Sequence, residues 1–281
     1  MKDRIKTWIA ISLAGFLIET WALYVVSASP ERWRPSLIVR DEPVARTLYD
    51  AMLQTMRQAR SLSYTSLCSG PDERIAGRIT VYNVVLQKPN GLRIEVTNRP
   101  CLKVTTLVCD GNNLWITWDG NRPFLTVDDA DGYAKTKSNV YVKWSARPGE
   151  LSVGHEIIRL GISWYGAILD PSLFLGCPDP VQASLDGVRS RGTDREGGED
   201  CDVIEASYDR ARRVRYYWVS RKDCLPRKIK EVTRQTETRV IVERWSDVSL
   251  NPGLPPQRFT WSPPEGWREW ELTCTRDPNG Y

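Results

Sequence analysis

The strongest constraint on this chain is an alternation of apolar and polar residues with a period of two. Leu92, Ile94 and Val96 alternate with Arg93, Glu95 and Thr97, and Leu114, Ile116 and Trp118 alternate with Trp115 and Thr117. Residues i, i+2 and i+4 share a face only in an extended strand, so each run reads as a strand with one side in a core. Between such runs fall Asn90-Gly91, Asp110-Gly111 and Asp119-Gly120, dipeptides that supply the positive φ angles of tight hairpins. Links this short join antiparallel neighbours, because a parallel crossover needs a dozen or more residues. A meander from about Leu62 to Val127 is therefore expected.

The pattern differs on either side. From Val44 to Leu62, the residues Leu48, Tyr49, Met52, Met56 and Ala59 recur at helical spacing, with Arg46, Asp50, Gln54, Arg57 and Arg60 elsewhere. This is an amphipathic helix, which must lie on something. From about Val140 to Leu185, Glu156 to Leu160 look helical, and Trp164, Tyr165, Ile168, Leu169, Leu173 and Phe174 form an apolar stretch broken by Pro171. One or two short helices crossing the sheet are expected here. After a polar loop at Thr193 to Asp200, strands resume at Val203 to Tyr208, Val214 to Ser220, Arg227 to Val232 and Thr238 to Trp245. The fold class is α+β: a curved antiparallel sheet with an N-terminal helix and a helical lid insertion. Tyr216 and Trp218 point one way and Tyr217 and Val219 the other, so both faces of that strand should be covered.

Lys2, Arg4 and Lys6 precede the uncharged run Thr7 to Ile18, and Val26-Ser27-Ala28 offers a small-residue cleavage site. Residues 1–28 thus read as a secretory signal peptide, or, uncleaved, as a membrane anchor through residues 7–26. Residues 29–42, which contain Pro30 and Pro35 and end before Pro43, read as a linker, 43–267 as one folded domain and 268–281 as a C-terminal tail. The expected location is the periplasm or cell envelope. A formal net charge of +4, from 39 basic and 35 acidic residues, with no long basic run, argues against nucleic acid as a partner.

Signs of catalysis or cofactor binding are weak. The single histidine, His155, has Ser163 nearby, but Gly161 to Gly166 lacks the spacing of a nucleophile elbow. Asp128, Asp129 and Asp131 before Gly132 lack the closing glutamate of a calcium loop. No two of the seven cysteines have CxxC spacing, so no zinc site is expected. Export permits disulfides, and Cys101 with Cys109 is one candidate pair if the chain folds back between them. Twelve tryptophans offer either ordinary packing or an apolar groove.

The order of elements, with "VVLQKPNGLRIEV", "TLVCDGNNLWITW", "DCLPRKIKEV" and "NPGLPPQRFTWSPPEGW", resembles the LolA-like superfamily, which includes periplasmic lipoprotein carriers and DUF2092-type envelope proteins. The resemblance implies an incomplete β-barrel around a cavity, no catalytic residues and no cofactor. In the carriers an arginine before the Pro-Asn turn helps hold the lid closed; Lys88 occupies the matching position. The expected activity is binding or carrying an apolar ligand, a lipid or lipoprotein acyl chain. The expected ligand-binding residues are Leu92, Ile94, Val96, Leu114, Ile116, Trp118, Tyr216 and Trp218 on the sheet and Trp164, Tyr165, Leu173 and Phe174 on the lid. The alternative is a membrane-tethered sensor or scaffold that uses the same fold for protein interaction.

Overall fold

The computed structural model describes residues 41–70, 79–98, 102–118, 139–145, 168–169, 173–174, 182–234 and 236–269; for residues 98, 102–104, 118, 144 and 145 it describes the backbone only. The chain divides into Met1–Leu37 and Ile38–Tyr281, and all the described residues belong to the second unit.

The amphipathic segment forms α1 (Pro43–Gln58), with proline in its first turn, where a missing N–H costs nothing. Its buried residues are Ala45, Tyr49, Met52, Leu53 and Met56. The helix stops earlier than the apolar spacing suggests, because Ser61 already belongs to a strand paired on both sides, and Leu62 is a buried strand residue.

The described strands are β1 (Ser61–Ser69), β2 (Ile79–Gln87), β3 (Gly91–Asn98), β4 (Leu102–Asp110), β5 (Asn113–Trp118), β6 (Val140–Ser145), β7 (Leu185–Glu196), β8 (Glu199–Tyr208), β9 (Arg213–Ser220), β10 (Pro226–Arg234), β11 (Thr238–Leu250) and β12 (Arg268–Glu269). They form one sheet in the order β12-β6-β5-β4-β3-β2-β1-β11-β10-β9-β8-β7. It is curved and does not close, since β12 and β7 are not neighbours. Two meanders meet where β1 pairs with β11. Every pair is antiparallel except β12 with β6.

Register carries one face across the sheet. Leu62 lies opposite Leu86, Leu86 opposite Leu92, Leu92 opposite Cys109 and Cys109 opposite Leu114. Because directly paired residues point to the same side, these side chains form the inner face, packed in one core with α1. The outer face of β3 to β6 is covered by the chain after β11. Phe259 packs 3.5 Å from where a side-chain carbon on Gly91 would stand. Trp261 lies against Trp115 and Tyr141, at ring separations of 6.3 and 5.2 Å, and Trp267 lies against Trp261.

Four expectations are corrected. Val140–Ser145, assigned to the helical insertion, is β6, paired with β5 on one side and β12 on the other. The expected polar loop Thr193 to Asp200 is the end of a hairpin: Thr193 to Glu196 pair with Asp202 to Glu199 around Gly197 and Gly198, whose φ angles are +60° and +82°. Most of its residues are exposed, so they show no alternation. Arg268 and Glu269, expected in a tail, form β12. Leu102 and Cys109 belong to one unbroken strand, about 23 Å apart at roughly 3.3 Å per residue. Cys109 is a free thiol, and between Leu102 and Cys109 the chain does not fold back. Cys101 itself, the insertion residues Glu156 to Leu160, and His155, Ser163, Asp128, Asp129, Asp131 and Asp119-Gly120 lie outside the described residues.

Candidate functional site

Leu92, Ile94, Val96, Leu114 and Ile116 alternate inward from β3 and β5 and share one buried cluster with Leu173 and Phe174. These five strand residues and two insertion residues are therefore brought together. Leu92, Ile94, Val96 and Phe174 each have 0% of their surface exposed, so the inner face is covered. Trp118 ends β5 opposite Val140; only its backbone is described. Trp164 and Tyr165 lie outside the described residues.

Tyr216 and Trp218 stand on the other face. On β9 it is Tyr217 and Val219 that join the core with α1, and Tyr217 meets Tyr49 edge to face at 5.8 Å. Tyr216 is held beside Glu205, which is clamped by Arg189 at 2.7 Å and also by Arg191. Burial, reinforced by the Glu205 charge, pushes the Tyr216 hydroxyl above its ordinary range. Trp218 donates its indole N–H to Asp194 at 3.0 Å and lies under the Lys228 ammonium, 4.2 Å from the ring centre. Parity along β9 separates these residues from the inner face, and sequence alone does not say which parity faces the helix.

Two polar features of the inner side hold the covering residues. Lys88, just before Pro89, donates to the backbone carbonyl of Arg57 at the end of α1 and lies 5.1 Å from the centre of the Phe174 ring. Burial lowers its pKa. One ammonium thus ties the β2–β3 turn, the helix terminus and an insertion residue.

The second feature is Glu243 on β11, 1% exposed. Its Oε1 accepts from Ser66 Oγ and from the Trp245 indole N–H, both at 2.7 Å, and its Oε2 accepts from the backbone N–H groups of Ile168 at 2.6 Å and Leu169 at 3.2 Å. Burial outweighs the pull of these four hydrogen bonds and leaves its carboxyl above the ordinary value of 4.5. The neighbouring Cys68 thiol is pushed well up by burial and by the Glu243 charge, which leaves it a protonated, unreactive group. Glu243 escaped the sequence reading, although a signal was present: in Ile241-Val-Glu-Arg-Trp245 it shares the parity of Ile241 and Trp245, a charge at an inward position.

The site is thus the inner face of a curved, unclosed antiparallel sheet, with a helix and buried apolar residues packed against it. No family model and no curated protein matches the chain. Among solved structures, it is similar to the lipoprotein LppX of Mycobacterium tuberculosis, at 12% identity and TM-score 0.43, over 76% of this chain and 99% of that one. It is similar to a LolA superfamily protein of Nitrosomonas europaea at 11% identity and TM-score 0.33, over 77% and 97% of the two chains. It is also similar to MucB, known in complex with MucA from Pseudomonas aeruginosa, at 12% identity and TM-score 0.45, over 79% of this chain but only 64% of MucB. All three scores lie below 0.5, so what this chain does must follow from its own side chains.

Proposed function

We propose that the chain is a non-enzymatic, exported protein of the cell envelope that binds or carries an apolar ligand, a lipid or lipoprotein acyl chain, on the inner face of its sheet. One observation carries this reading. Leu173 and Phe174 belong to neither the sheet nor α1, yet they share the buried cluster with Leu92, Ile94 and Leu114. An acyl chain can take their place without breaking a strand. Apolar pockets bind such chains largely through area removed from water, at roughly 25 cal/mol per Å².

The test is uptake of a fluorescent fatty acid, measured alongside a melting curve, with Ile116→Trp as the variant that fills space without adding charge. Binding by the parent, lost in the variant while the transition is retained, supports the reading. No binding by the folded parent overturns it.

The complete burial of Leu92, Ile94 and Val96 favours a second reading: an envelope sensor or scaffold tethered to the inner membrane by residues 7–26, with its concavity filled by its own side chains. Native mass spectrometry of the purified body separates the two. Co-purified lipid belongs to the first reading, and a bound envelope protein without lipid to the second.

A further inference from the structure

We infer that Glu243 is a latch: its buried carboxylate fastens the Ile168–Leu169 backbone to the inner face, and loss of that bond uncovers the apolar surface beside it. This assigns regulation to the surface proposed above as the ligand site, and takes its purpose from that reading.

The geometry argues for a holding role beyond ordinary packing. A carboxylate has about four lone-pair directions, and all are used: two by groups of the sheet and two by consecutive amides of the insertion. Oε1 anchors the side chain to β1 and β11, and Oε2 is left to the insertion alone. Hydrogen bonds to an ionised acceptor are roughly twice as strong as neutral ones. A buried carboxylate that loses partners is costly, so departure of the two amides from Oε2 is opposed. Of the four donors, three are N–H groups with no lone pair to offer, and only the Ser66 hydroxyl can turn round to accept. The arrangement is therefore built for the charged form, and uncharged replacements weaken it. Leu169 and Ile168 in turn stand in the same buried cluster as Leu173, Phe174, Ile94 and Ile116, so releasing the first pair loosens part of that cluster's cover.

The test measures amide hydrogen exchange at Ile168 and Leu169 and mass-mapped thiol labelling at Cys109. Cys109 is buried on the inner face of β4, which β1, β2 and β3 separate from β11. A purely local effect of Glu243 would leave its labelling rate unchanged. In the parent, both amides should be protected. In Glu243→Gln, exchange at both amides and labelling of Cys109 should rise by about tenfold or more, the factor set by a hydrogen bond to a charged group. Unprotected amides in the parent overturn the latch. So does a Glu243→Gln protein with unchanged exchange, or with faster exchange but unchanged Cys109 labelling. If Glu243→Gln does not fold, Ser66→Ala, which removes one anchor of Oε1, should show the same two changes at smaller size, and their absence would overturn the proposal. Neither readout uses a lipid. Failure of the parent to bind a fatty acid therefore sinks the ligand reading alone, and the exchange and labelling results still judge the latch.

Discussion

The hydroxyl of Tyr49, on the buried side of α1, lies 3.0 Å from that of Tyr208 on β8, and Tyr208 in turn lies 3.2 Å from the hydroxyl of Tyr217 on β9. Three phenols from a helix and two strands thus share a chain of hydrogen bonds in the core, with the Arg215 guanidinium 5.5 Å from the Tyr208 ring centre. Burial raises the Tyr208 hydroxyl well above its usual pKa, so it stays protonated and able to donate.

Tyr208→Phe removes the central hydroxyl and keeps the ring. Stability should fall by about 1–3 kcal/mol, the cost of lost hydrogen bonds and a partner left short in the interior. Chemical denaturation checks the magnitude. Amide exchange along Pro43–Gln58 should accelerate more than exchange in β3 to β5, because the hydroxyl chain clamps the helix.

Gly91 opens β3 beneath Phe259. An added side-chain carbon would stand 3.1 Å from the Gln87 carbonyl oxygen and 3.2 Å from Gln87 Cβ, closer than most real contacts and partly against backbone. Gly91→Val should therefore cost about 1–3 kcal/mol through overpacking. It should also lift Phe259 off the outer face, an effect visible as faster proteolysis between Leu250 and Trp267.

Phe174→Ala tests the inner face from the opposite direction to Ile116→Trp. Truncating a buried phenylalanine costs about 3–5 kcal/mol and leaves a cavity. If the surface accepts acyl chains, this variant should bind a fluorescent fatty acid more tightly than the parent while melting at a lower temperature. Weaker binding in a folded variant would count against displacement of Phe174 by ligand.

Glu199 makes stability depend on acid. Partial burial raises its pKa, but the Ser220 hydroxyl and the Arg227 guanidinium, 2.8 Å away, outweigh burial and leave it below the ordinary value of 4.5. A depressed carboxyl contributes stability that is present above the unfolded pKa and lost as pH falls through the folded one. Melting temperature should therefore drop on acidification below about pH 4.3, and Glu199→Gln should flatten that drop while lowering stability at neutral pH.

Residues 1–40 should direct export, since a basic start before an apolar stretch is inserted with its start inside. Fused to a reporter active only outside the cytoplasm, this segment should give signal. A silent reporter held in the cytoplasm would refute it.

How much of this was legible depended on whether burial left a trace in residue choice. Half-buried strands did: Leu92 to Val96 and Leu114 to Ile116 alternate, and they stand in the core as expected. The stretch Thr193 to Glu196 left no trace because Thr193, Asp194 and Arg195 are all exposed, so pairing there is written only in Gly197 and Gly198. Tyr216 and Trp218 were misplaced for the opposite reason. Both faces of β9 are buried, and composition cannot distinguish a face under a helix from one under arginines. Glu243 shows a third case, in which an inward charge is compatible with the core because Ser66, Trp245 and the distant Ile168 and Leu169 all donate to it.

The sheet's failure to close leaves β7 as a border strand, and such a border invites a second molecule to add its own strand. Here that invitation is withdrawn. Glu42 N–H donates to the Val188 carbonyl, Val188 N–H to the Asp41 carboxylate, and Ser190 N–H to that of Glu42, so residues ahead of the helix already occupy the bonding positions. Beyond them the register slips between Ser190 and Thr193 around Gly192, at φ +86°, and the exposed Arg195 follows with its charge in solvent. A kinked and charged border offers poor footing for intermolecular pairing. This border of the open sheet therefore resists edge-to-edge stacking into fibrils, which would otherwise be its natural failure.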